Sequence, residues 1–256
     1  MAKMKRKVAM CLMAHPDDCE ILAAGTLALL QKVGWEVHIV TMTPGDAGSA
    51  DLGPQEIASQ RRGEGAKAAK VLGATYHCLE SRDLYVMFDE PTLRRALSLT
   101  RALAPTLVIT HSLVDYMLDH EETAKIARSA TFGYMAPNVV AGGIPTGAMV
   151  PYLYYADPIE GMDVYGEPVR PTTYIDISST MAAKTRALKA HASQREWLRK
   201  HHGIDQYIQA MQHWAAKRGR EVEVKYAEGF RQHKGHSYPR DCILEHQLRD
   251  LVVQRG

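Results

Sequence analysis

One imidazole and two adjacent carboxylates stand together near the start of the chain, in Ala14-His15-Pro16-Asp17-Asp18-Cys19-Glu20. Pro16 fixes its own φ and biases His15 toward an extended backbone. In so tight a turn Asp17 and Asp18 cannot easily point the same way. One carboxylate can then ligate a metal while its neighbour faces the water on that metal. The alternative is that Asp17 or Asp18 only caps the following helix. Farther on, Thr110-His111 is followed by Asp115-Tyr116-Met117-Leu118-Asp119-His120. His15, Asp18 and His120 together offer two nitrogens and one carboxylate oxygen, a set that suits zinc with a fourth position open. Other divalent ions, Fe2+ among them, accept the same set. Zinc with an open position lowers the pKa of water to about 7 and polarises a carbonyl. In that arrangement Asp17 is the general base and Asp119 a partner for an imidazole N–H.

Two strands have to bring these stretches together. Residues 8–14 read as a buried strand and residues 21–33 as a helix closed by Gly34. Residues 36–42, 75–79 and 106–110 read as further strands, and 55–72, 91–103 and 121–131 as helices. The alternation implies a parallel sheet with crossover helices. Parallel strands end on one edge, where ligands bind in open α/β sheets, so the loops after the first and fourth strands can meet. The later part is less regular. It shows strands over 152–156 and 173–177, helical stretches over 178–202 and 207–218, and a tail over 226–256 with a short strand and a terminal helix. Gly45 and Gly48 lack the GxGxxG pattern of a dinucleotide site.

Composition narrows the classes. The chain has 256 residues, 46% apolar and 23% charged, enough for a sizeable core in one domain spanning 1–256. A net charge of +2 gives no case for nucleic acid. The apolar run after Lys3, Lys5, Arg6 and Lys7 is too short for a signal segment with its cleavage site, and no run is long enough to span a membrane. Cys11, Cys19, Cys78 and Cys242 form no CxxC pair. A reducing, cytoplasmic setting fits.

AHPDDCE resembles the first motif of the PIG-L/LmbE-like zinc deacetylases, and residues 115–120 resemble their second, D-x-HPDH. Other stretches follow in the family's order. They are Thr41-x-Thr43-x-Gly45-Asp46-x-Gly48, Arg61-x-x-Glu64 running on to Leu72-Gly73, Asp83 after the third strand, His191-x-Ser193-Gln194, and Tyr226-Ala227-Glu228-Gly229-Phe230. The resemblance implies a Rossmann-like three-layer α/β sandwich with a mainly parallel sheet and an elaborated C-terminal part. It implies hydrolysis of an N-acetyl amide, with zinc on His15, Asp18 and His120 and Asp17 as base. Arg61 and Asp83 would bind the sugar, and Asp46, at the same sheet edge, could take a hydroxyl. An assembly of identical chains follows only by family analogy.

One position departs from the family. Met117 stands where the second motif has its first His, and Leu118 replaces the Pro. The family's His stabilises the oxyanion of the tetrahedral intermediate, and methionine cannot donate a hydrogen bond. Loss of one such donor typically costs about 10²–10³ in rate. His111 is the nearest candidate in sequence to serve instead. The leading expectation is a zinc-dependent N-deacetylase acting on a small N-acetylated amino sugar or glycoside. The alternatives are an amidase on a larger acyl-amino-sugar conjugate, and a metal-binding protein without hydrolytic activity. Met117 favours the last of these and the intact Asp17 opposes it.

Overall fold

The structure is a computed structural model that describes residues 6–145, 149–195 and 206–255. Its frame is one eight-stranded sheet in the order β3-β2-β1-β4-β5-β7-β6-β8. The strands are β1 (Val8–Met13), β2 (Glu36–Thr41), β3 (Thr75–Cys78), β4 (Leu107–Thr110), β5 (Tyr152–Ala156), β6 (Thr173–Asp176), β7 (Ala227–Gln232) and β8 (Val252–Gln254). Neighbours from β3 to β5 pair in parallel, and β7, β6 and β8 add antiparallel pairs.

Every residue of β1 is buried, as a central parallel strand covered on both faces requires. Strand alternation sends Ala9, Cys11 and Met13 into one core and Met10 and Leu12 into the other. The first core is closed by α1 (Asp18–Leu22), α2 (Ala24–Lys32), α3 (Pro54–Val71), α6 (Met181–Leu188), α7 (Gln206–Glu221) and α8 (Ile243–Leu248). The second is closed by α4 (Glu90–Leu103) and α5 (Leu118–Gly133). The expected Rossmann-like layering is therefore present. Among the described residues no helix is long and apolar enough to cross a membrane.

Three elements differ from the sequence reading. The helix expected over 21–33 begins at Asp18 and breaks at Ala23 into α1 and α2. The buried Glu228 on β7 accepts the Gly25 and Thr26 N–H groups, each at 2.8 Å, so the break leaves those donors of α2 satisfied. A Cβ at Gly25 would lie 2.7 Å from Ile177, so only glycine allows this approach. The helix expected over 178–202 begins at Met181, is interrupted after Leu188, and is helical again over 192–195; residues 196–202 of that expectation lie outside the described residues. The tail ends on β8 rather than a helix, because its backbone pairs with the edge of β6.

Glu228 also takes Lys184 Nζ at 2.5 Å, and Lys184 donates to Ile21 O at 2.7 Å. Both side chains are buried. Glu228→Ala strands the Lys184 charge and should cost about 3–5 kcal/mol in denaturant unfolding. Adding Lys184→Met should recover part of that loss.

Candidate active site

Connections leave β1 toward β2 on one side and the chain later returns to β4 on the other. The crevice at their C-terminal ends is the switch point where such sheets bind ligands. The loops after β1, β2, β3 and β4 converge there around a cavity of about 550 Å³. His15, Asp17, Asp18 and His120 all line it.

Asp18 is buried among three imidazoles. Its Oδ2 accepts the His15 N–H at 2.7 Å, which pins the turn. That oxygen lies 3.3 Å from His15 Nδ1 and 3.1 Å from His111 Nε2, and Oδ1 lies 3.5 Å from His120 Nε2. Burial alone would raise the Asp18 pKa, but the neighbouring imidazoles of His120, His111 and His15 hold it well below the usual range. The far nitrogens of two imidazoles are held by carboxylates. His120 Nδ1 meets Asp115 Oδ1 at 3.0 Å. His15 Nε2 meets Asp83 Oδ1 at 2.9 Å and Asp119 Oδ2 at 3.2 Å. Asp119 also accepts the N–H groups of Leu84 and Val86, which folds the β3–α4 loop over the site.

Asp17 has φ 110°, a left-handed conformation that a non-glycine residue adopts only under constraint. Its side chain makes no cap hydrogen bond, so the helix-cap reading fails for this residue. Instead Oδ2 accepts the Tyr207 hydroxyl at 2.5 Å, and Oδ1 lies 3.6 Å from Arg61 Nη2. Burial and the neighbouring Asp18 charge raise its pKa against the pull of Arg61, His191 and Tyr207. That is the direction expected of a proton-transfer carboxylate.

The other predicted residues divide. Arg61 and Asp83 line the cavity. Arg61 donates to Pro16 O at 2.8 Å and Gly45 O at 3.3 Å, strapping the first turn to the β2–α3 loop. A Cβ at Gly45 or Gly48 would fall 2.2 or 2.4 Å from its guanidinium, which explains both glycines. Asp46 does not line the cavity. Its Oδ1 accepts the Asp83 N–H at 2.8 Å, so it holds the loop that carries Asp83. His111 also stays outside the cavity. It is fully buried and stacked beneath His120 at 3.9 Å, with Nε2 accepting the Ala14 N–H at 3.0 Å. Burial and the His120 charge lower its pKa. It packs against the turn after β1 and the Asp18 carboxylate. Asp119 pairs with His15, and the partner of His120 is Asp115.

Sequence reading missed the wall built by α7. Tyr207, Ala210 and Trp214 face the cavity at spacings of three and four, a helical stripe that the residue pattern alone carries. The segment after α6, which the sequence carried only as a family-like His191-x-Ser193-Gln194 element, ties the site loops together. There His191 pairs with Glu20 at 3.4 Å, Ser193 N–H and O–H donate to Glu64 at 3.0 and 2.6 Å, and Gln194 donates to Gly48 O at 2.9 Å.

The residues present fit a divalent metal. The ligand atoms of His15, Asp18 and His120 lie within 4.8 Å of one another, in one of three overlapping groups of this kind among the described residues. The other two draw on Asp83, Asp115 and Asp119, the carboxylates that hold the far imidazole nitrogens. Against the effect of burial, the carboxylates raise the pKa values of His15 and His120. A divalent cation meets the same demand for positive charge while leaving both imidazoles neutral.

Fold and site together define a Rossmann-like α/β protein with a metal-type His/Asp centre at its switch point. Residues 10–131 match the model of the PIG-L family, GlcNAc-PI de-N-acetylase. The chain is 28% identical over 197 residues to the 4-oxalmesaconate hydratase of Pseudomonas putida, covering 74% of each. It is 28% identical over 193 residues to the diacetylchitobiose deacetylase of Thermococcus kodakarensis, covering 73% of this chain and 70% of that one. The crystal structure of GalB, the 4-carboxy-2-hydroxymuconate hydratase from Pseudomonas putida, aligns with a TM-score of 0.75 at 27% identity. It covers 92% of this chain and 98% of that one. The N,N'-diacetylchitobiose deacetylase of Pyrococcus horikoshii aligns at 0.73 and 25% identity, covering 92% and 88%.

Asp115→Asn removes the charge behind His120. Metal affinity should fall about 10–100-fold in competition with a chromophoric chelator, with the far-UV spectrum unchanged.

Proposed function

We propose that this chain is a metal-dependent N-deacetylase acting on a small N-acetylated amino sugar or glycoside. The observation that carries the reading is Asp17. It is a carboxylate beside the ligand Asp18, bonded through Tyr207 and aimed into the cavity, where a site that only stored metal would have no use for it. His15, Asp18 and His120 would hold the ion, zinc or another divalent metal such as Fe2+. When bound it supplies Lewis-acid polarisation and a more acidic water.

The rest of the chemistry belongs to the chain. Asp17 takes a proton from the water as it attacks the acetyl carbon. It holds that proton through the tetrahedral adduct. It then passes the proton to the departing nitrogen, and the products are acetate and a free amine. Arg61 and the Tyr207 hydroxyl keep the carboxylate turned toward the water. Diacetylchitobiose deacetylases among the relatives support an acetylated sugar as substrate.

A second reading has its own support. Met117 lines the cavity where the PIG-L motif has a histidine, and a hydratase stands among the relatives by sequence and by structure. Water activated by the same base can add to a conjugated double bond, a reaction with no acetyl oxyanion to satisfy.

Zinc-loaded protein should release acetate from at least one member of an N-acetyl sugar panel. Asp17→Asn should lower that rate by about 10²–10⁴-fold with metal content unchanged. Loss of a dienoate absorbance without acetate release from any sugar would replace the deacetylase by the hydratase.

A further inference from the structure

A second pair of imidazoles lies on the sheet itself. Strand alternation puts Glu36, His38 and Val40 of β2 on the face that carries the second core, and His77 of β3 stands beside Val40 on that face. His38 is buried and His77 half-buried. His38 Nδ1 and His77 Nε2 face each other at 3.0 Å. On the other side of the His38 ring, Nε2 meets Glu36 Oε1 at 2.9 Å. None of these three residues lines the catalytic cavity.

Glu36 decides the tautomer. Arg6 binds its carboxylate and holds its pKa below the usual range. An ionised carboxylate only accepts. The His38 proton therefore sits on Nε2, and Nδ1 turns a lone pair toward His77. Burial and the neighbouring His38 lower the His77 pKa, which favours a neutral ring there as well. Two neutral imidazoles that face each other can share one proton or one metal ion.

The spacing fits an ion. Zn–N bonds of about 2.0–2.1 Å place two nitrogens of one ion about 2.9 Å apart at a right angle and about 3.3 Å apart at the tetrahedral angle. A carboxylate on the far nitrogen orients a ligating imidazole and raises its basicity. A hydrogen bond between the rings accounts for their contact. It does not account for a glutamate, itself fixed by an arginine, behind a buried ring in the middle of the run Val37 to Val40.

We propose that His38 and His77 hold a divalent ion of the imidazole-preferring class, zinc or copper, separate from the catalytic centre. Glu36 orients His38 behind the ion, and solvent fills its remaining positions. The ion ties β3 to β2. Among the described residues β3 is a four-residue edge strand paired with β2 alone. The loop after it carries Asp83, which meets His15 across the catalytic site. A metal between the two strands thus braces that loop from outside the cavity.

The test is calorimetric titration of metal-free protein with Zn2+, with equilibrium dialysis to count the bound ions. His38→Gln and His77→Gln should each bind one equivalent fewer than the wild-type chain. The remaining equivalent should keep its affinity, which also shows that each variant is folded. Glu36→Gln should keep the stoichiometry and weaken the affected step about 10–100-fold. In the wild-type chain that step should raise Tm, and in the two histidine variants the rise should vanish.

Equal stoichiometry in the wild-type chain and both histidine variants overturns the proposal, because any extra ion then lies elsewhere. Loss of the ion in only one folded variant also overturns it, because the two rings then do not share a metal. His77 is the more exposed of the pair, so His77→Gln decides the case if His38→Gln does not fold.

Discussion

Asp18 is the point on which the rest of the site depends. A buried carboxylate is costly unless it is paired, and Asp18 accepts the His15 amide N–H and lies within 3.5 Å of the imidazoles of His15, His111 and His120, brought together by the segments that follow β1 and β4. That single carboxylate fixes the turn after β1, draws the β4 loop to it, and sets the charge that His15 and His120 answer. Asp115, Asp83 and Asp119 then hold the far side of those rings. The strained backbone of Asp17 follows from the same constraint. With Asp18 turned inward, its neighbour has to face the cavity, and Arg61 and Tyr207 fix it there.

The second half of the chain completes a site whose chemistry lies in the first. The PIG-L match covers residues 10–131 and includes the candidate metal ligands and base. Yet Glu20, Glu64 and Gly48 are each bonded to the segment at 191–194, and Glu228 of β7 anchors the start of α2. Trp214 and Ile159 also line the cavity. The candidate ligands and part of the cavity lining are thus drawn from different stretches of sequence. A diacetylchitobiose deacetylase and a 4-oxalmesaconate hydratase both stand among the relatives, as expected where function lives in the site rather than in the fold. Met117 lies in the motif by sequence and lines the cavity by position.

What the sequence determined by itself was local. Pro16 and the paired aspartates made a turn after an apolar strand. The Val- and Ile-rich runs made buried strands, and glycines closed helices. Those patterns were enough to bring residues 15, 18 and 120 to one sheet edge, because parallel strands share an edge whatever their side chains do. Tertiary structure decided everything that depends on which partner a polar atom finds. His111, the residue after β4, is buried under His120 and takes the Ala14 amide. Asp46 turned to the Asp83 backbone, away from the cavity. Asp119, which adjoins His120 in sequence, serves His15 across the site, because side chains at adjacent helical positions diverge by about 100°. Tyr207 came from the far end of the chain to hold Asp17. Spacing along a chain specifies which face a residue joins; the hydrogen bond a buried group makes is fixed only when distant segments compete for it at a few ångströms.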